Sequence, residues 1–187
     1  MKRVIPIDHG NRLMKTVGQA FPSSYMESKY LPSIGGDVLS YEGKTYTLVD
    51  QCLPVLSDKT EDERYFILSL IAIGKELADD AELMRTLTPH DHIKVELLIG
   101  LPLQHYEAYR KKFERYFTDR NGIIQFELNS KPYSIRNGAA LHGKIGKVIA
   151  FDYQVEMLGR YLGDTAEFVG ISFDKFVSRF MGGSKQA

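Results

Sequence analysis

Asp8, Gly10 and Lys15 stand in the run Val4-Ile5-Pro6-Ile7-Asp8-His9-Gly10-Asn11-Arg12-Leu13-Met14-Lys15-Thr16, and their types and spacing suit the binding of a phosphate. Gly10 has no Cβ, so bare backbone N–H groups can approach an anion there. Lys15 can set an ammonium against the same anion. Asp8 can hold a hydrated Mg²⁺, because a carboxylate is a hard oxygen donor. The same residues also suit an ordinary hairpin with a solvated Asp and Lys, and a short motif does not separate the two readings by itself.

The elements that must position these residues are a strand, a tight turn and a return strand. Val4–Ile7 is apolar and ends on Asp8, and Leu13-Met14 opens the return. The Ser-, Pro- and Gly-rich segment from Gly18 to Asp37 reads as a loop or an extended edge. Val38–Tyr41 and Thr45–Val49 flank Glu42-Gly43-Lys44 and form a hairpin. Asp50–Leu56 is a connector.

A helix is expected from Thr60, with Thr60 as N-cap, Glu63 closing a capping box, and acidic residues in its first turn. Phe66, Ile67, Leu70, Ile71, Ile73 and Leu77 follow at helical spacing. That stripe is broad enough for a heavily buried helix ending near Asp79-Asp80, and it reads as core packing. Ala81–Leu87 suggests a short helix before Pro89. His92–Pro102 starts amphipathic and ends apolar, as expected of a central strand buried on both faces. A second helix over Gln104–Phe117 carries Tyr106, Tyr109, Phe113, Tyr116 and Phe117 on one side and Arg110, Lys111, Lys112 and Arg115 largely on the other, a solvated basic face. Ile123–Leu128 and Tyr133–Ile135 form a further hairpin, and Val148–Leu162 reads as a strand passing into a helix.

The bulk properties exclude several function classes. The chain has 187 residues, 24 basic and 24 acidic, so formal charge balances to zero. That leaves no global electrostatic case for nucleic acid or an anionic membrane surface. The tyrosines are scattered and make no stacking platform along a basic groove. Cys52 is the single cysteine, which excludes an intramolecular disulfide and an all-cysteine metal site. The N-terminal apolar run is too short for a signal-peptide core, and no run reaches the length of a membrane span. The expectation is a cytoplasmic protein that does not use the membrane. His90-Asp91-His92 offers metal-ligand types but reads most simply as a polar loop before a strand.

Asp8-x-Gly10-x-x-Leu13-x-Lys15 resembles the first phosphate loop of the actin and sugar-kinase superfamily. Further stretches in the same order are Phe21-Pro22-Ser23, Asp58-Lys59-Thr60-Glu61-Asp62-Glu63 leading into Ile67–Ile73, and Ile99-Gly100-Leu101-Pro102-Leu103 with Tyr106, Lys112-Phe113 and Tyr116. Together they resemble the N-terminal domain of the ParM/StbA-type actin-like proteins, bacterial plasmid and phage ATPases that polymerise and push DNA apart. The resemblance implies an α/β fold with a mixed sheet, the actin-like (ribonuclease H-like) domain I. It spans residues 1–136, with a divergent extension over 137–187.

By the same resemblance, Asp8 would hold Mg²⁺ through water. Asn11 and the backbone from Gly10 through Arg12 to Leu13 would cradle phosphates, and Lys15 would neutralise the outer oxygens of ATP or GTP. Asp58-Lys59-Thr60 looks like a family signature without an assigned chemical role. The resemblance further implies a nucleotide-linked filament subunit that meets DNA only through an adaptor. The alternative is a non-enzymatic module that caps or regulates a full-length actin-like filament. The partner would be a second copy or such a filament, met through the aromatic helix Gln104–Phe117 or the loop Phe21–Gly36.

The chain departs from the two-sided actin cleft. No second Asp-x-Gly-x-x-Thr follows residue 137, and Met181-Gly182-Gly183-Ser184 matches an adenosine loop only by chance. Gln154 is the one residue offered for orienting a water. Phosphoryl transfer requires charge stabilisation from both sides of the substrate. The family implies ATP hydrolysis, but a cleft built from one side is expected to bind ATP weakly and not to turn it over.

Overall fold

The computed structural model describes residues 2–28, 36–51, 53–56, 58–88, 91–120, 122–137 and 148–151. Cys52, His90, Gln154, the Met181–Ser184 segment and most of the 137–187 extension lie outside the described residues.

The strands are Lys2–His9 (β1), Leu13–Lys15 (β2), Ala20–Pro22 (β3), Tyr25–Ser28 (β4), Val38–Tyr41 (β5), Lys44–Leu48 (β6), Ile93–Pro102 (β7), Ile123–Leu128 (β8), Lys131–Asn137 (β9) and Val148–Phe151 (β10). The helices are Arg64–Asp79 (α1), Ala81–Thr86 (α2) and Leu103–Thr118 (α3). Among the described residues the strands make one mixed sheet in the order β3-β2-β1-β7-β9-β8-β5-β6-β4, with β10 also on β7. β1 and β7 run parallel, from Lys2 opposite Lys94 to Ile7 opposite Ile99. β9 takes the start of β7 on its other side, and β10 takes its end. β7 therefore has β1 on one side over Lys94–Ile99 and β9 then β10 at the two ends of its other side, and Ile99 is fully buried, as the apolar run requires.

The hairpins follow from their turn residues. Glu42 and Gly43 have φ of 48° and 75°, and Asn129 and Ser130 have φ of 53° and 62°. Two left-handed residues in a row give the turn whose twist matches paired strands. The segment from Gly18 to Asp37 supplies β3 and β4, which form the two outer strands of the sheet. Of the two readings of this segment, the extended edge holds for Ala20–Pro22 and Tyr25–Ser28.

α1 lies on the sheet with Phe66, Ile67, Leu70, Ile71, Ile73 and Leu77 buried. Gly74 permits the contact, since a Cβ there would lie 2.8 Å from Leu128 Cδ2 on β8. The expected capping box does not form. α1 starts at Arg64, with Glu63 at the cap position and no side-chain cap. The Thr60 amide and hydroxyl both donate to Asp58 Oδ1, at 2.9 and 2.6 Å, so Thr60 closes a tight turn instead.

α3 packs on the same face as α1. Tyr106, Phe113 and Phe117 are in the core, and Tyr109 and Tyr116 pack against it. Tyr116 accepts from Phe66 N at 2.9 Å and donates to Asp62 O at 2.8 Å, fastening α3 to the start of α1. The aromatic side of α3 is thus used inside the domain, and Phe21 is likewise buried. The α3 aromatics are therefore not a free surface, whereas Met26 in the Phe21–Gly36 stretch is exposed and residues 29–35 of that stretch lie outside the described residues. Among the described residues, no helix is long and apolar enough to cross a membrane.

Candidate functional site

β1 and β2 pair antiparallel with Asp8 opposite Lys15 and His9 opposite Met14. Directly opposed residues share a face of the sheet. The spacing seen in the sequence therefore puts a carboxylate and an ammonium side by side, with Gly10, Asn11 and Arg12 as the loop above them. Asp8 is buried, Lys15 is half-buried and Arg12 is exposed. Asp8, Gly10, Asn11, Arg12, Leu13 and Lys15 all line one cleft of about 340 Å³. His9, Lys59, Gly100 and Leu101 complete its wall. The cleft opens at the carboxyl ends of β1 and β7, where parallel sheets present their ligand sites.

The loop is braced from two sides. A Cβ on Gly10 would overlap the Leu13 carbonyl oxygen, so the tight approach of the two strands requires glycine. Buried Ser23, just after β3, donates from Oγ to Gly10 O at 2.7 Å and from N to Arg12 O at 3.0 Å. From the helix side, the Tyr65 hydroxyl donates to Asn11 Oδ1 at 3.1 Å. Burial pushes the Tyr65 phenol up to about 12, with Arg64 opposing and nearby carboxylates adding, so it remains a donor through neutral pH. With Oδ1 engaged, the amide nitrogen is the end of Asn11 available to an acceptor oxygen.

Beneath the loop lies a buried polar chain. Ser69 Oγ donates to Tyr65 O at 2.6 Å, and His9 Nε2 meets the same Oγ at 2.8 Å. The single hydroxyl proton goes to the carbonyl, so Nε2 carries the hydrogen that Ser69 accepts. Burial, aided by the Lys59 charge, holds the His9 pKa well below its ordinary value and keeps the ring neutral. Tyr65, Phe113 and Phe117 surround it at centroid distances of 5.9, 5.3 and 5.5 Å. His9 is a packing and orienting residue, not a free base.

Lys59 is the site residue that the motif did not contain. It is 7 % exposed, and its Nζ lies 4.9 Å from the Tyr65 ring centroid. Burial lowers its pKa to about 8, against the pull of the Asp8 charge. The turn that carries it is held by Asp58, which accepts from Thr60 and pairs with Lys112 of α3. The readable signal was a lysine inside an Asp-x-Thr turn shortly before a heavily buried helix.

Of the other sequence candidates, the described Asp91 and His92 are engaged by neighbours rather than assembled into a site. His92 Nδ1 meets Ser134 Oγ at 2.6 Å, and Asp91 accepts from Thr88. No cluster with metal-ligand composition occurs among the described residues. A wider groove of about 770 Å³ runs between α2 and strands β5, β8 and β9. Its charged lining is Glu42, Asp91 and Glu127 against Lys131 alone, a sign that disfavours phosphate.

Three solved structures show the same fold at low identity. The AlfA filament bound to AMPPNP matches with a TM-score of 0.52 and 16 % identity over 80 % of this chain and 54 % of that one. A filament of ParM from Clostridium botulinum, described as 15-stranded, matches with 0.52 and 19 % identity over 80 % and 47 %. The archaeal actin homologue Ta0583 in complex with ADP matches with 0.51 and 15 % identity over 80 % and 43 %. The chain thus spans about half the length of these proteins. Comparison with curated proteins finds no match. The family described as Actin like proteins N terminal domain matches residues 7–140, and the chain belongs to that family.

Proposed function

We propose that this chain supplies the phosphate-binding side of a nucleotide cleft in an actin-like filament subunit of the plasmid- or phage-segregation type. The observation that carries this reading is the β1–β2 hairpin, where Asp8 and Lys15 stand opposed under a glycine loop in a cleft that also holds Lys59.

The donor set fits a magnesium–polyphosphate. Asp8 is a hard oxygen donor that suits a hydrated Mg²⁺. The Gly10 cradle, which a Cβ would fill, brings the backbone of Gly10–Leu13 to the anion. Asn11 and Arg12 would reach it from the loop, and Lys15 would neutralise its outer oxygens. The group these residues would hold is ATP or GTP with Mg²⁺, whose metal would offset phosphate charge. One wall of such a cleft binds weakly and does not hydrolyse, because phosphoryl transfer requires charge stabilisation from both sides.

In this role the chain works in the bacterial cytoplasm, associates with its own kind or with a full-length actin-like filament, and meets DNA through an adaptor. The AlfA and Clostridium botulinum ParM relatives are filaments by description, and the AlfA and Ta0583 structures hold AMPPNP and ADP. Light scattering with and without Mg-ATP, alone and then with a full-length actin-like protein, tests the proposal. Assembly or co-assembly only with ATP supports it. Nucleotide-independent, substoichiometric suppression of the partner filament indicates a capping module instead. A chain that stays monomeric and leaves partner filaments untouched contradicts both.

A further inference from the structure

We infer that Lys59 is a second cation for the bound polyphosphate, approaching it from the helix side of the cleft while Lys15 approaches from the hairpin side. This inference rests on the proposed nucleotide reading and adds to it a residue outside the phosphate-loop motif.

Two independent observations carry it. The first is placement. Lys59 shares the cleft with Asp8, Gly10 and Lys15 although it is distant in sequence. It is set there by the turn that Asp58 and Thr60 close and that Lys112 of α3 anchors.

The second is burial. At 7 % exposure the Lys59 side chain is largely withdrawn from water. The aromatic face of Tyr65 at 4.9 Å is a weak replacement for that hydration. A cation withdrawn from water costs folding free energy unless an anion is set against it. A neutral side chain of similar length would pack there with no such penalty. A phosphate is the ligand that offsets it. Arg12, Lys15 and Lys59 against the single carboxylate of Asp8 leave the cleft lining with net positive charge before a metal enters. A polyphosphate would offset these cations, with Asp8 left to hold a hydrated Mg²⁺.

The test is an amide-shift titration of the ¹⁵N-labelled chain with sodium tripolyphosphate, followed at Gly10 and Asn11. Wild type is compared with Lys59→Met and Lys15→Met, and thermal unfolding of each variant is recorded. The expected result is that both variants raise the apparent Kd by roughly tenfold or more. Lys59→Met should meanwhile unfold at or above the wild-type temperature. If Lys59→Met does not give a dispersed spectrum, Lys59→Gln takes its place. Weakening by Lys15→Met with an unchanged Kd for Lys59→Met overturns the inference and leaves the nucleotide reading standing. Loss of binding accompanied by a lower unfolding temperature also overturns it, since that marks a structural lysine. Absence of any hairpin shift in the wild-type chain removes the nucleotide reading itself, and the inference with it.

Discussion

The Tyr65 hydroxyl donates to Asn11 Oδ1 over 3.1 Å, so the first turn of α1 holds the tip of the β1–β2 hairpin. The same Tyr65 passes its carbonyl to Ser69 and its ring face to Lys59. One residue thus links the buried helix, the loop and the second cation of the cleft.

Tyr65→Phe removes the tether and keeps the ring. Loss of one hydrogen bond of this kind costs about 0.5–1.5 kcal/mol. Because the phenol titrates only near 12, the deficit should be the same at pH 6 and pH 9. Urea unfolding of both proteins at the two pH values measures it. A stability equal to wild type at both would show that the tether contributes nothing.

Gly10→Ala should fold less stably by about 1–3 kcal/mol, because the new methyl overlaps the Leu13 carbonyl oxygen and one strand must yield. Gly43→Ala is the control. It meets no atom within 4 Å but sits at φ +75°, so it incurs only the left-handed backbone cost of about 1–2 kcal/mol. Gly10→Ala should weaken phosphate binding and Gly43→Ala should not. Equal binding by the two variants would remove the glycine loop from the site.

Lys75 of α1 pairs with Asp37, just before β5, at 2.7 Å. Burial pushes the Asp37 carboxyl up, but hydrogen bonds from Lys75 and Asn129 outweigh it and hold the group below its ordinary 3.8. The unfolded carboxyl lacks these donors and takes up a proton first as pH falls. The contribution is therefore complete above the ordinary carboxylate value and is lost as pH falls through the depressed folded value. Asp37→Asn should cost about 1.5–3 kcal/mol at pH 7 and converge on wild type toward pH 2. Chemical unfolding across that range checks the sign, and a gap that widens at low pH would contradict it.

Much of this fold was legible because its signals are local. The β1–β2, β5–β6 and β8–β9 hairpins announce themselves through turn residues between β-prone runs, and β7 through an apolar run closed by Gly100 and Pro102. What was not legible depended on tertiary choice. Thr60 fits a capping box, yet Asp58 captures both its donors, and the helix starts at Arg64. The aromatics of α3 have helical spacing, which says that they share a face but not whether that face meets the core or a partner. Within the site, Asp8 to Lys15 could be assembled from one turn. Lys59 could not, since packing of α1 on the sheet is what carries it to Asp8.

The most direct test of the central claim is where Mg-ATP perturbs the backbone of the ¹⁵N-labelled chain. The account predicts amide shifts at residues 8–15, at Lys59 and at Gly100-Leu101, saturating in the millimolar range as expected of a one-sided site. They should be abolished by Asp8→Ala and by Lys15→Ala. Shifts centred instead on the groove lined by Tyr41, Phe126 and Tyr133, or hairpin shifts that survive both substitutions, would contradict it.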